Sequence, residues 1–142
     1  SWVKLGLKPA RGGRFGAAGV KSWVILPAGA DGPAFLVTEN FKAILRYNAS
    51  TSYALAVGHL ADRIRGGPEL AARWPEHHRP LSRPQRVELQ DLLARRGHYQ
   101  GDVSGRFGRQ TVAAIVAYQK TAGLPPDGFA SVALLERLRR GR

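Results

Sequence analysis

Tyr47, Asn48, Ser50 and Tyr53 are the side chains of this sequence whose types and spacing best suit chemistry. They lie in the run Asn40-Phe41-Lys42-Ala43-Ile44-Leu45-Arg46-Tyr47-Asn48-Ala49-Ser50-Thr51-Ser52-Tyr53-Ala54-Leu55-Ala56-Val57. Asn and Ser compete with a helix for backbone hydrogen bonds, and here they separate two apolar-periodic stretches. The spacing predicts a turn that presents the four side chains together. Aromatic rings interleaved with an amide and a hydroxyl suit a neutral, hydroxyl-rich ligand such as a sugar. The same residues also fit a plain helix–turn–helix corner, with Ser50 as an N-cap and both tyrosines half-buried. Spacing alone leaves both readings open.

Other reactive side chains are sparse. Glu39 precedes Asn40-Phe41, and beside a cap at Thr38 it meets the positive end of a helix dipole, which accounts for it without a proton-donating role. Asp62 and Arg63 fall on the charged side of a helix. His77-His78 has no Cys, Asp or third His at ligand spacing, so no metal site is expected. His59, between Val57 and Leu60, reads as a partly buried flank residue. Trp74 either docks its own segment, the favoured reading, or stacks on a sugar ring. The glycines at 12, 13, 16 and 19 lack the strand–Gly–helix order and the Gly-Lys-Ser/Thr of a phosphate loop, and no cofactor is expected.

The elements that must carry these residues begin with two β-prone runs. Ser22-Trp23-Val24-Ile25-Leu26 and Ala34-Phe35-Leu36-Val37 flank the turn-forming Gly29-Ala30-Asp31-Gly32-Pro33 and predict a hairpin. Residues 1–21, rich in Gly, Lys and Arg, read mostly as loop. Thr38 is placed to cap a helix with Phe41, Ile44 and Leu45 on its apolar face. Beyond the corner, Tyr53, Ala54, Val57, Leu60, Ala61 and Ile64 recur at helical spacing until Gly66-Gly67-Pro68. Residues 68–80 carry Pro68, Pro75 and Pro80 and read as a linker. A three-helix pattern follows over 81–142. Ser82 with Gln85 makes a capping box before Leu89, Leu92 and Leu93, and Gly97 ends that helix. A second helix from about Gln110 is predicted to bury Val112, Ile115, Val116 and Tyr118 and to end at Gly123. Ser131 caps a third that carries Leu134, Leu135 and Leu138. The division is thus 1–67, linker 68–80, and 81–142.

The 142 residues are 44% hydrophobic, enough for a packed core and against wholesale disorder. With no cysteine there is neither a disulfide framework nor a thiolate metal site. The net charge is +12, and it is evenly spread: residues 1–74 hold ten basic and four acidic side chains, residues 75–142 twelve and six. Such a chain attracts polyanions, whether nucleic acid, acidic membrane surface or carboxylate-bearing wall polymer. Nucleic acid is disfavoured because Tyr47 and Tyr53 are not backed by a clustered Arg/Lys face. No segment is long enough to span a membrane and Ser1 opens no signal peptide. Because the first residues read like the middle of a domain, the expectation is a fragment, with membrane anchoring only through a missing N-terminus.

Residues 81–140 resemble the type 1 peptidoglycan-binding domain. The resemblance rests on Leu89-Gln90-x-x-Leu93, Gly97, Gly105-Arg106-Phe107-Gly108, Thr111, Ala114-Ile115, Tyr118-Gln119 and Gly123-Leu124-Pro125-x-Asp127-Gly128. Two departures stand out: Ser104-Gly105 where the family usually has Asp-Gly, and Arg109 where it usually has Pro. The first weakens the usual side-chain hydrogen bond of the loop without changing the fold. The resemblance implies contact with wall polymer through Arg106, Phe107, Tyr118 and Gln119, with Phe107 equally suited to plug the small core.

Residues 22–67 resemble the end of the catalytic domain of the lytic murein transglycosylase B family, through Leu26-Pro27-Ala28-Gly29, Gly32-Pro33-Ala34-Phe35-Leu36-Val37, Asn40-Phe41 and the Tyr47–Val57 run. The implied fold is mainly α with a small β-hairpin, the end of a lysozyme-like domain, followed by the three-helix module. By this resemblance Tyr47 and Asn48 line a sugar cleft, Asn48 holding an N-acetyl group or the reacting ring, with Ser50 and Tyr53 behind them or on its floor. The family's general acid is a single Glu on a helix well before this region, so no catalytic residue is expected in this chain. That acid protonates the glycosidic oxygen while the C6 hydroxyl of the sugar attacks C1. No water need be activated, in contrast with the two-carboxylate scheme. The implied partners are peptidoglycan glycan strands, their stem peptides and the remainder of the catalytic domain, in the periplasm or cell envelope. A rival reading is a wall-binding protein without catalytic function.

Overall fold

A computed structural model of the chain describes residues 2–12, 14–16, 19–75 and 79–141. It is mainly helical, with five α-helices and one two-stranded antiparallel sheet among the described residues. The chain divides into two compact units, one of residues 1–27 and 32–74, the other of residues 28–31 and 75–142. The His77-His78 pair lies outside the described residues.

The first unit opens on a short 3-10 turn, Trp2–Leu5, within a stretch whose glycines suggest loop. Strands β1 (Ser22–Ile25) and β2 (Phe35–Thr38) pair with Ser22 opposite Thr38 and Ile25 opposite Phe35, confirming the hairpin, with β1 one residue shorter at its end and β2 shifted along the chain by one residue. Trp2 Nε1 donates to Ser22 Oγ at 2.7 Å and ties the turn to β1. Helix α1 spans Glu39–Tyr47 and α2 spans Thr51–Ile64. Thr38 holds the N-cap position of α1, but its hydroxyl makes no capping bond, contrary to the expected role. Its backbone still belongs to the β2 register, paired with Ser22. The Glu39 carboxylate in the first turn meets the helix dipole instead.

Val37, Phe41 and Ala54 form the core of this unit, with Trp23, Ile25, Phe35, Ile44, Leu45 and Leu55 packed around them. Trp23 meets Phe41 edge-on at 6.5 Å between ring centroids, and Lys42 Nζ lies 4.7 Å from the Trp23 ring centroid. Trp74 docks edge-on against Phe35 at 5.8 Å, as the favoured reading expected. Helix α2 ends where Gly66 N–H donates to the Arg63 carbonyl and Gly67 N–H to the Asp62 carbonyl, the paired bonds of a Schellman stop. The apolar stripe of α2 departs from expectation. Only Ala54 is buried, while Leu60 is 60% and Ile64 78% exposed. Helical period marks an apolar face but carries no information on what covers it.

In the second unit, α3 (Arg83–Arg95), α4 (Arg109–Thr121) and α5 (Val132–Arg140) enclose one core, with Leu89, Leu93, Ile115, Leu135 and Leu138 fully buried. The capping box holds: Ser82 Oγ accepts from Gln85 N–H at 3.4 Å, and Gln85 Oε1 accepts from Ser82 N–H at 2.8 Å. Ser131 Oγ accepts from Leu134 N–H at 3.0 Å and starts α5. The α4 face differs from the expected one. Thr111, Ala114, Ile115, Tyr118 and Gln119 are buried, while Val112 is 44% exposed and Val116 only half-buried. The expectation counted apolar residues alone, but Thr111 and Gln119 are buried because hydrogen bonds satisfy them.

Candidate functional site

Helix α1 stops at Tyr47, and Asn48 leaves it in extended conformation while its N–H still donates to the Ile44 carbonyl at 3.0 Å. Two hydrogen bonds then shape the corner. Asn48 Oδ1 accepts from Ser50 N–H at 3.2 Å, and Ser50 Oγ accepts from Tyr53 N–H at 3.2 Å. The first is an Asx turn and the second an N-cap for α2. The corner reading and the clustering reading therefore describe one structure: the bonds that cap the helix also set Tyr53 beside Tyr47. Their rings lie 6.2 Å apart with a 31° tilt. Tyr47 is 85% exposed and Tyr53 37%, so only Tyr53 is half-buried. With Oδ1 engaged, the Asn48 amide NH2 donates to no partner among the described residues. The corner thus offers ring surface, two amide N–H donors and a hydroxyl. That set can bind and orient a polyhydroxylated ligand, but it cannot donate a proton for bond cleavage.

Glu39, the acid that opens α1, does not supply that proton either. Glu39 Oε1 accepts from Lys42 Nζ at 2.9 Å, and this bond holds its carboxyl below the ordinary carboxylate value. A general acid near neutrality needs the opposite shift. Among the described residues, no group of three His, Cys, Asp or Glu side chains converges as metal ligands, and no helix is long and apolar enough to cross a membrane.

The four candidate residues of the second unit do not share one surface. Arg106 is exposed, whereas Phe107 packs against the core and takes the plug role. Tyr118 and Gln119 are each 5% exposed. Tyr118 meets His98 edge-on at 5.8 Å. Gln119 Nε2 donates to Asp127 Oδ1 at 2.6 Å, and its Oε1 accepts from Gly128 N–H at 2.9 Å.

Sequence reasoning named Gln90 only within the Leu89-Gln90-x-x-Leu93 motif and gave it no role, yet it is fully buried and governs the other turn. Its Nε2 donates to the Arg106 carbonyl at 2.9 Å, Thr111 Oγ1 at 3.1 Å and Tyr99 Oη at 3.2 Å, while its Oε1 accepts from Gly105 N–H at 2.7 Å. The two turns are thus built alike, each with a buried helical Gln accepting from a turn glycine. They differ in the residue before the glycine. Ser104 Oγ accepts only a 3.3 Å bond from Arg106 N–H. Asp127 accepts from Gln119 and from Phe129 N–H at 2.8 Å through Oδ1, and from Ala30 N–H at 2.7 Å through Oδ2. The weaker bond expected at Ser104-Gly105 is there, and Gln90 anchors this turn glycine as Gln119 anchors the other. A polar residue next to Leu89 in a helix was the available signal.

Comparison with known proteins agrees with this architecture. Residues 1–62 match the transglycosylase SLT domain family, and residues 82–138 match the peptidoglycan binding domain family. No curated protein matches the chain. Among solved structures, SltB3 from Pseudomonas aeruginosa in complex with NAG-anhNAM-pentapeptide is 49% identical, with a TM-score of 0.91 over 97% of this chain. The same protein in complex with NAG-NAM-pentapeptide is 50% identical at the same TM-score and coverage. This chain spans 37% of the length of those chains. The fold, the order of the two family matches and this identity show a chain similar to a transglycosylase SLT domain over residues 1–62 and to a peptidoglycan binding domain over residues 82–138, in the arrangement that SltB3 has over the matched length.

Proposed function

We propose that this chain is the C-terminal portion of a lytic murein transglycosylase, in which residues 1–67 complete the catalytic domain, 68–80 link, and 81–142 bind peptidoglycan. The whole protein cleaves the MurNAc–GlcNAc glycosidic bond to a 1,6-anhydro product in the cell envelope, on the periplasmic side. Its ligands are the glycan strands and their stem peptides. The observation that carries the reading is the 49% identity over 97% of the chain to a protein solved with an anhydro-muramyl peptide, since an anhydro sugar is what attack by C6 hydroxyl on C1 leaves behind.

Within that reaction the corner of Tyr47, Asn48, Ser50 and Tyr53 lines the cleft. The ring faces pack on the sugar and the Asn48 amide holds an N-acetyl carbonyl or the reacting ring. The proton for the leaving oxygen comes from a Glu that this chain does not contain. In support, Glu39 is ion-paired and held ionised. In the binding module, Arg106 faces solvent for wall contact, while Phe107 and Tyr118 pack in or against the core and Gln119 holds the Asp127-Gly128 turn from within.

Two measurements test the reading. Pelleting with purified murein sacculi tests binding, and absence of pelleting sinks it. An upstream-extended protein should release 1,6-anhydro muropeptides, and Asn48→Ala in that protein should cut turnover far more than sacculus binding. Release of reducing-end sugars alone indicates a hydrolase, and equal loss of turnover and binding gives Asn48 a structural role. A wall-binding protein without catalysis is the second reading, favoured by the same Glu39 ion pair, and the extended protein's lack of any glycan cleavage would establish it.

A further inference from the structure

The second unit contains a groove of about 520 Å³ walled by α5, the Asp127–Phe129 turn and the segment before it. Leu124, Pro125, Phe129 and Ala133 make it apolar, Ser131 adds a hydroxyl, and Arg137 lines one side. Ala133, Arg137 and Arg140 follow one another at i, i+4 and i+7 along α5, so they share a face. Neither residue type nor motif marks these positions as a site, because only the tertiary fold draws them into one groove.

The charges of the groove single out Arg137. Asp127 carries a carboxylate, but three N–H donors satisfy it. Glu136 pairs with Arg140 at 3.6 Å, and Arg139 pairs bidentately with Glu88 at 2.7 Å. Asp31 is exposed at the lip. Arg137 is held by a bond from Nη2 to the Ala122 carbonyl at 3.1 Å, and among the described residues no carboxylate pairs with it. A guanidinium fixed by one nitrogen keeps its remaining N–H groups available for a carboxylate. The groove is also pre-built, because Gln119, Phe129 and Ala30 all clamp the Asp127 turn, which lowers the ordering cost of binding.

We propose that this groove receives the carboxylate-bearing peptide arm of peptidoglycan, with a peptide carboxylate on Arg137 and small methyl-bearing side chains against Phe129, Leu124 and Pro125. This rests on the wall-binding reading and names the site and the chemical group within it. The surrounding unit carries twelve basic against six acidic side chains over residues 75–142, which favours approach of an acidic peptide.

The test is an NMR titration of the isotope-labelled chain with a soluble muramyl pentapeptide and with the same peptide amidated at its carboxyl terminus. The expected result is shifts at the Phe129, Ser131 and Ala133 amides, with the acid form binding about five- to tenfold more tightly than the amide, as a charge-assisted contact at a solvent-accessible rim implies. Arg137→Gln should abolish that preference and leave affinity for the amidated peptide unchanged. Shifts confined to Arg106–Gly108, or no preference for the acid form, overturn the proposal. If Arg137→Gln fails to fold, the acid-against-amide comparison on the native chain decides by itself. Sacculus pelleting run in parallel separates the two failures. A native chain that pellets without groove shifts refutes the groove alone, while one that does not pellet refutes the wall-binding reading.

Discussion

Gln90→Met should nearly unfold the second unit, although it keeps the length and volume of the side chain. Gln90 is fully buried and makes four hydrogen bonds. Methionine leaves the Gly105 N–H and Thr111 Oγ1 without that partner in a buried setting, since Thr111 is 1% exposed. The Arg106 carbonyl is only partly buried and can turn to water. Each orphaned buried group costs about 1–3 kcal/mol. Two of them, less about 1 kcal/mol gained from the more apolar side chain, leave a loss of about 3 kcal/mol. A core of roughly 60 residues supplies only about 3–5 kcal/mol in total. The assay is urea denaturation of the whole chain, followed through the methyl resonances of Leu135 and Leu138, which report on this unit only. Gln100→Met, at an exposed position, is the control and should change little. A Gln90→Met loss below about 1 kcal/mol, or an equal loss in the control, refutes the claim that Gln90 holds the turn.

Three more outcomes follow from the same structure. Ser50→Ala removes the cap of α2 and should cost about 1 kcal/mol locally; faster amide exchange at Tyr53 and loss of contact between the Tyr47 and Tyr53 rings are the readouts. Gly128→Ala should destabilise the second unit by about 2 kcal/mol or more, because Gly128 has φ +71° and an added Cβ would stand 2.8 Å from Val112 Cγ1; an unchanged melting temperature would contradict this. Arg139 donates to Glu88 and holds its carboxyl below the ordinary value, so the pair stabilises the fold above the unfolded carboxylate pKa of about 4.3 and loses its effect as pH falls through the lowered value. Glu88→Gln should therefore lower the melting temperature at neutral pH, with the gap closing in strong acid; a gap that persists in acid removes the ion pair as its cause.

The helices were legible because their ends are local. Ser50, Ser82 and Ser131 each cap a helix through a bond spanning three residues, and such short-range chemistry is written in consecutive letters. The hairpin was legible for the same reason, two β-prone runs about a glycine turn. Thr38 shows the limit, since its strand pairing with Ser22, sixteen positions away, took precedence over the cap that its type suggested.

The sequence by itself determined the elements, their order and the corner that carries Tyr47, Asn48, Ser50 and Tyr53, because each depends on neighbours within a turn or two. Only the tertiary structure decided which faces are buried and which cations stand free. Gln90 and Gln119 are inside because partners 8 to 21 residues away satisfy them, Val112 is outside although apolar, and among the described residues no carboxylate pairs with Arg137, while Glu88 and Glu136 pair with its neighbours. Burial and charge compensation belong to pairs of residues, and the chain must fold before those pairs exist.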